Sequence, residues 1–112
     1  MLYIGFSNYS HKIHARLFCR EIKHCAPIIV DGDTVIIYQF VRINKIVKIF
    51  IKRTDLKKLK KHGWQIIKYS NDDHIQLNRF CLTCVQFTKY ACGIKDIRIQ
   101  TPMGLLKYLN KK

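Results

Sequence analysis

An Asp-Gly-Asp turn joins two β-rich runs and defines the first piece of the fold. The run CAPIIV at 25–30 precedes the turn at 31–33, and the run TVIIYQF at 34–40 follows it. Asp-Gly between runs of β-branched and aromatic residues is a strong hairpin signal, because a tight turn needs the backbone freedom of glycine. The sequence therefore predicts an antiparallel hairpin over residues 25–40.

Three other segments have strand character: LYIGF at 2–6, INKIVKIFIKR at 43–53 and WQIIKYS at 64–70. The second of these alternates in part, with Ile46, Lys48 and Phe50 on one side and Val47, Ile49 and Ile51 on the other. Such alternation predicts a strand with one face drier than the other. Together with the hairpin, these runs predict an antiparallel sheet of about four or five strands.

Helix signals occur between and after the strands. Ser10 can cap a helix over about 11–22, Thr54 can cap a basic helix DLKKLKKH that Gly63 ends, and Thr101 with Pro102 opens a terminal helix. A further helix is predicted from about Thr83 to Cys92, because Gly93 follows as a natural C-terminal cap. These elements predict an α+β fold.

The size and composition of the chain predict one domain over residues 1–112. Hydrophobic residues make up 48% and charged residues 25%, which is typical of a globular protein. We expect Trp64, Ile66, Phe87 and Leu106 in the core. The apolar runs are far shorter than the roughly 20 residues of a membrane-spanning helix. The amino terminus does not resemble a secretory signal, and five cysteines without such a signal favour reduced thiols.

Cys84 and His24 are the best candidates for chemistry. Cys84 falls in the first turn of a predicted helix, where the helix dipole favours the thiolate, although most free cysteines are simply buried small hydrophobes. His24 opens a strand directly after the first helix. Gln39 lies on the return strand, where it either orients the His24 ring or is a polar residue on a solvated face.

The segments HARLFCREIKHCAPIIVDGDTVIIYQF at 14–40 and CVQFTKYACGI at 84–94 resemble the circularly permuted, NlpC-like branch of the papain fold. The shared pattern is an amphipathic helix, a histidine that opens a strand, a hairpin, and a cysteine that starts a helix closed by Gly-Ile. TPMGLLKYL at 101–109 is similar to the terminal helix of small phage-encoded members. The histidine precedes the cysteine, which is the permuted order.

The resemblance implies a cysteine hydrolase or acyltransferase that acts on amide or ester bonds of a peptide or other acyl substrate, with no cofactor. Cys84 maps to the nucleophile, His24 to the base and Gln39 to the residue that orients the base. The backbone N–H of Cys84 would help to hold the oxyanion, with Asn78 as a further candidate donor. Many relatives have an acidic residue where this chain has Gln39, so an inactive structural descendant is the alternative.

A metal or redox site is a competing interpretation of the same residues. Cys81 and Cys84 have the CxxC spacing, and His24 with Cys25 could complete a tetrahedral zinc set. However, neighbouring residues on a strand point to opposite faces, and no second CxxC is present in the sequence. A thioredoxin-type role is weaker, because the elements around CLTC do not match the start of a βαβ unit.

The net charge of +14 favours a binding module as the main alternative to an enzyme. In that case the basic helix at 55–62, with Arg16, Arg20, Arg42 and Arg53, would contact nucleic-acid phosphates or other proteins of a virion. The simpler interpretation is that the lysines are ordinary side chains on solvent-exposed faces, without a binding role. We expect the protein in the cytoplasm of a host cell or in a virion, and without a membrane span.

Overall fold

Five strands and three helices make up the described part of the chain. The computed structural model describes residues 1–7, 24–42, 45–61, 63–71, 75, 81 and 83–111. The strands are β1 (Leu2–Ser7), β2 (His24–Asp31), β3 (Thr34–Arg42), β4 (Lys45–Lys52) and β5 (Gln65–Ser70). A 3₁₀ turn over Arg53–Asp55 leads into α1 (Leu56–Lys61), and α2 (Cys84–Cys92) and α3 (Pro102–Asn110) follow. The predicted helix at 11–22 and most of the loop at 71–74 lie outside the described residues.

All five strands form one antiparallel sheet in the order β4-β3-β2-β1-β5. The predicted α+β class and the predicted number of strands are therefore confirmed. The Asp-Gly-Asp hairpin joins β2 to β3, with Asp31 opposite Thr34 and Gly32 at a φ of 59°. That positive φ is why glycine is needed at the turn. β2 lies at the centre of the sheet and begins at His24.

Both faces of the sheet are covered near its centre. On one face, Cys25 packs with Phe6, Val85 and Leu105, so that α2 and α3 lie against β1 and β2. On the other face, Ala26 and Ile28 pack with their neighbours on β3 and with the apolar side of α1. Neighbouring residues of β2 thus point to opposite faces, as the pleat requires.

The predicted core residues divide into two groups. Phe87 and Leu106 are buried in the layer of α2 and α3. Trp64 and Ile66, in contrast, are only half-buried. Their position explains why they are less buried than Phe87 and Leu106. Trp64 directly precedes β5 and Ile66 lies in it, and β5 is the strand at one edge of the sheet. A residue on an outer strand has a neighbouring strand on one side only.

β4 forms the opposite edge of the described sheet, and the end predicted for it was one residue too far along the chain. The strand ends at Lys52, and Arg53 already belongs to the 3₁₀ turn. The predicted difference between its two faces is small: Phe50 on one face is 64% exposed, whereas Val47 and Ile49 on the other face are 38% and 39% exposed. At an edge strand, sequence alternation marks the pleat but does not ensure that another layer covers either face.

The caps predicted at Gly93 and Thr101 were right, and the cap predicted at Thr54 was wrong. Gly93 closes α2 at a φ of 76°, and Thr101 Oγ1 accepts a hydrogen bond from the backbone N–H of Gly104 at 3.0 Å. Thr83, where only the start of the helix was predicted, also caps it, because its Oγ1 accepts a hydrogen bond from the backbone N–H of Gln86 at 3.1 Å. Thr54, however, lies inside the 3₁₀ turn rather than at a cap. The Asp55 carboxylate takes the capping role, since its Oδ2 accepts from the backbone N–H of Lys52 at 3.2 Å. A carboxylate is a stronger acceptor than a hydroxyl.

Candidate active site

Cys84 is the first residue of α2, as the sequence predicted. Its helix is fixed at one end by the Thr83 cap and at the other by Gly93, which adopts a φ of 76°. The apolar residues Val85 and Phe87 hold the helix against the sheet. Cys84 itself is half-buried. Its thiol therefore lies at the positive end of an anchored helix dipole, with part of its surface open to solvent.

His24 is the first residue of β2, next to Ser7 of β1. The Trp64 ring packs edge-on against the imidazole, with 6.3 Å between the ring centroids and 88° between the planes. Gly5 makes room for this indole: a Cβ there would lie 2.8 Å from Ile28 Cδ1 and 3.0 Å from Trp64. The absence of a side chain at Gly5 thus lets Trp64 lie over β1 and restrict the His24 ring.

Gln39 lies on the same face of the sheet as His24. Ile28 pairs with Ile37. His24 is four positions before Ile28 and Gln39 is two positions after Ile37, so both side chains point to the same face as that pair. The Gln39 amide nitrogen lies 2.7 Å from His24 Nε2. This contact leaves Nδ1 as the ring nitrogen available to Cys84. The structure therefore brings together the residues predicted as base and orienting group.

The Gln39 amide can serve either protonation state of the His24 ring. Its NH₂ group donates to Nε2 when that nitrogen is unprotonated. When the ring is an imidazolium, Nε2 carries a proton and needs an acceptor. A half turn of the amide then presents Oε1, because the two ends of the group have nearly the same shape. Gln39 thus holds the ring orientation in both states, with less stabilisation of the cation than a carboxylate would give.

The electrostatics of the site favour a thiolate–imidazolium pair. The pKa of Cys84 is lowered to about 4, first by a hydrogen bond from the Cys25 side chain and then by a hydrogen bond and the charge of His24, although burial opposes this. Burial lowers the pKa of His24, but the hydrogen bond and charge of Cys84 and the Gln39 hydrogen bond raise it above its ordinary value overall. Cys84 is therefore ionised around neutral pH, and the protonated form of His24 is favoured beside it.

Cys25 is a member of the site that the sequence analysis named only as a candidate zinc ligand and not as a partner of the Cys84 thiol. It is fully buried, and its Sγ lies 3.7 Å from the Cys84 carbonyl oxygen and 3.5 Å from Thr88 Oγ1. Its pKa is raised well above the ordinary value, first by its hydrogen bond with Cys84, then by burial and by the charge of Cys84. Cys25 thus remains a thiol and donates toward the ionised sulfur. The position of Cys25 directly after His24 was the signal available in the sequence. Neighbouring strand residues point to opposite faces, so the Cys25 side chain lies on the face that α2 covers.

The two other cysteines of the described residues, Cys81 and Cys92, have more apolar surroundings. Cys81 is buried in an apolar cluster with Leu2 and Phe87, and burial raises the pKa of Cys92 to about 12. Within the described ranges, no three His, Cys, Asp or Glu side chains are arranged to hold a metal ion. The zinc interpretation therefore has no support among these residues. Asn78, the further candidate for the oxyanion, lies outside the described residues.

Comparisons with known proteins leave the family open. No protein-family model, no curated protein and no solved structure matches this chain significantly. The resemblance to the NlpC-like papain fold thus stays a prediction. Among the described residues, no helix has both the length and the apolar character that crossing a membrane requires.

Proposed function

We propose that this protein is a cysteine hydrolase or acyltransferase that uses Cys84 and His24 on an amide or ester bond. The observation that carries the proposal is the interaction of the Cys84 side chain with an imidazole that Gln39 contacts from the far side. A nucleophile, a base and an orienting group in series form the arrangement typical of thiol acyl transfer. A peptide or other acyl compound is the proposed substrate.

The first half of the reaction forms an acyl-enzyme. The Cys84 thiolate attacks the carbonyl carbon, and a C–S bond forms while the carbonyl oxygen gains the negative charge. The backbone N–H of Cys84, at the first position of α2, is the proposed donor to that oxygen. The His24 imidazolium then gives its proton to the leaving amine or alcohol as the C–N or C–O bond breaks.

The second half regenerates the enzyme. His24 is now neutral, so it takes a proton from water or another acceptor as this attacks the thioester carbonyl. The C–S bond breaks, and Cys84 leaves as the thiolate beside the reformed imidazolium. Gln39 keeps the ring in place through both proton transfers, because its amide can accept or donate at Nε2. This proposed role also accounts for a glutamine where an acidic residue is expected.

The test is acylation by p-nitrophenyl acetate, followed by nitrophenolate release and by intact-protein mass spectrometry. We expect one acetyl group on Cys84 and release of nitrophenolate beyond one equivalent as the thioester turns over. Cys84→Ala should abolish the acetyl adduct. His24→Ala should slow acylation by about 10²- to 10⁴-fold, the usual contribution of a positioned acid–base group.

Cys81→Ser is the matched control for this assay, because Cys81 is the other cysteine of the CLTC sequence and is buried in an apolar cluster. This variant should acylate like the unmodified protein. Acetylation that survives in Cys84→Ala, or that falls on lysines alone, would refute the proposed nucleophile. If Cys84 is acetylated once and the thioester is not hydrolysed, the protein is a catalytically inactive descendant with a reactive thiol.

A second candidate function is binding to nucleic acid or to acidic virion proteins through a basic surface. The observation that favours it is a run of exposed basic side chains along β4, the 3₁₀ turn and α1: Lys45, Lys48, Lys52, Arg53, Lys57, Lys58, Lys60 and Lys61. Lys58 lies 3.5 Å from the Asp55 carboxylate, so that one of these charges is partly balanced. Together these residues carry much of the charge that the sequence showed.

Binding of a labelled DNA duplex, measured by fluorescence anisotropy against salt concentration, tests this candidate. Replacement of Lys57, Lys60 and Lys61 by glutamine should weaken binding and reduce the slope of log K against log salt by about 0.9 for each phosphate that the protein no longer neutralises. Glutamine at the exposed residues Lys107 and Lys111 provides the control. Weakening in proportion to the charges removed, three in the first variant and two in the control, would show that only the total charge matters, and would contradict a defined surface.

A further inference from the structure

The contact between Cys25 and Cys84 has no role in acyl transfer that another hydrogen-bond donor could not fill. Cys25 has a single S–H proton, yet three acceptors lie around it: the Cys84 carbonyl oxygen, Thr88 Oγ1 and the Cys84 sulfur. Serine is a better donor and of similar size, so hydrogen bonding alone does not explain a thiol here. What a thiol adds is the ability to form a bond to another sulfur.

We propose that Cys84 is a site of oxidation by hydroperoxides and that Cys25 converts the oxidised form into an internal Cys25–Cys84 disulfide that thiols reverse. Three features of the described residues support this pairing. Cys25 Sγ lies 3.7 Å from the Cys84 carbonyl oxygen and Cys84 packs on the cluster that contains Cys25, Cys84 is half-buried, and Cys25 is fully buried. Solvent, and with it a peroxide, therefore has more access to Cys84 than to Cys25.

The oxidation step is a two-electron transfer to the hydroperoxide. The Cys84 thiolate attacks the distal oxygen of the hydroperoxide, an S–O bond forms and the O–O bond breaks. The oxygen that leaves takes the proton of the His24 imidazolium and departs as an alcohol, or as water when the oxidant is hydrogen peroxide. Cys84 becomes a neutral sulfenic acid, and His24 becomes a neutral imidazole.

The second step joins the two sulfurs. Cys25 attacks the Cys84 sulfur, an S–S bond forms and the S–O bond breaks, while the Cys25 proton and the leaving hydroxide become water. Before oxidation Cys25 is a poor nucleophile, because the thiolate beside it raises the Cys25 pKa through hydrogen bonding and charge. Oxidation removes that negative charge, so the same event that creates the electrophile makes Cys25 easier to ionise.

The test is treatment of the whole protein with hydrogen peroxide, followed by peptide mapping without reductant. We expect the loss of two hydrogens per molecule and a link between tryptic peptides 24–42 and 80–89 that dithiothreitol removes. Peptide 80–89 contains both Cys81 and Cys84. The link should therefore persist in Cys81→Ser and vanish in Cys84→Ser.

Cys25→Ser separates oxidation from disulfide formation. In this variant Cys84 should stop at the sulfenic acid, which dimedone traps, and the yield of trapped adduct should exceed that of the unmodified protein roughly tenfold or more. Cys92→Ser is the matched control, since Cys92 is another half-buried cysteine of α2. A Cys81–Cys84 link, a link between two molecules, or oxidation that spares Cys84 would overturn the proposal.

The mapping of the unmodified protein decides the question even if Cys25→Ser does not fold. The disulfide chemistry uses no acyl substrate and forms no acyl-enzyme, so its outcome is independent of acyl transfer. A protein that forms the link but never turns over p-nitrophenyl acetate would refute the proposed hydrolase and leave this inference intact. If both hold, peroxide should abolish nitrophenolate release, and dithiothreitol should restore it.

Discussion

Alkylation of Cys84 by iodoacetamide should be almost independent of pH from about pH 6 to about pH 8, because its pKa of about 4 keeps it ionised throughout. An ordinary thiol of pKa about 8.5 would react about 80-fold faster at the upper end of that range than at the lower. Peptide mass spectrometry after timed alkylation measures the rate at each cysteine. The dependence of the Cys84 alkylation rate on pH, and not the rate itself, identifies the low pKa, because a thiolate of low pKa is also intrinsically less nucleophilic.

Two variants separate the causes of the low Cys84 pKa. The hydrogen bond from Cys25 is its largest cause, and the hydrogen bond and charge of His24 come next. Cys25→Ala and His24→Ala should therefore both shift the alkylation midpoint to higher pH. Cys25→Ser should shift it less than Cys25→Ala, because serine keeps a donor.

Cys92 provides an internal control in the same experiment, since burial raises its pKa to about 12 and it should stay slow at every pH tested. A Cys84 profile that rises steeply through about pH 8, as for a free thiol, would contradict the ion pair. In that case the proposed acyl transfer would lose its nucleophile, and the basic surface would become the main candidate for function.

Replacement of Phe87 by alanine should lower the free energy of unfolding by about 3–5 kcal/mol, the range for removal of a buried aromatic side chain. Phe87 is 2% exposed and stacks on Phe40 of β3, with 6.0 Å between the ring centroids. Removing the ring leaves a cavity between α2 and the sheet. Urea unfolding followed by circular dichroism measures the change.

Phe50→Ala is the matched control, because the same ring is removed from a side chain that is 64% exposed. We expect a change within about 0.5 kcal/mol for this variant. A small effect of Phe87→Ala would mean that α2 is not anchored as the structure has it. The position of Cys84 would then be in doubt as well, since α2 carries it.

The sheet and the main caps could be predicted because each rests on a local signal. Asp31 and Gly32 define the hairpin, Thr83 and Gly93 bound the cysteine helix, and Pro102 opens the last helix. Such signals involve residues within a few positions of one another. The exposure of β4 could not be predicted in this way, because burial of a strand depends on which elements pack on it.

The site shows the same division between local and long-range information. Cys84 and His24 could be selected from their positions in a helix and a strand. The contact of Cys25 with Cys84 joins residues 59 positions apart in the sequence. The contact depends on how closely α2 approaches β2, and no local pattern encodes that distance. The buried Lys89, whose Nζ donates to the Ile99 carbonyl oxygen at 2.8 Å, was missed for the same reason.

The tight turn between β2 and β3 offers a place to attach the protein without blocking its chemistry. His24 begins β2 and Asp31 ends it, so the turn lies about 23 Å along the strand from the imidazole. Residues 31–34 are exposed, and a side chain added at Gly32 would meet no atom within 4 Å. A fluorophore or surface linker at this exposed turn would therefore lie far from the imidazole, which suits single-molecule or immobilised assays.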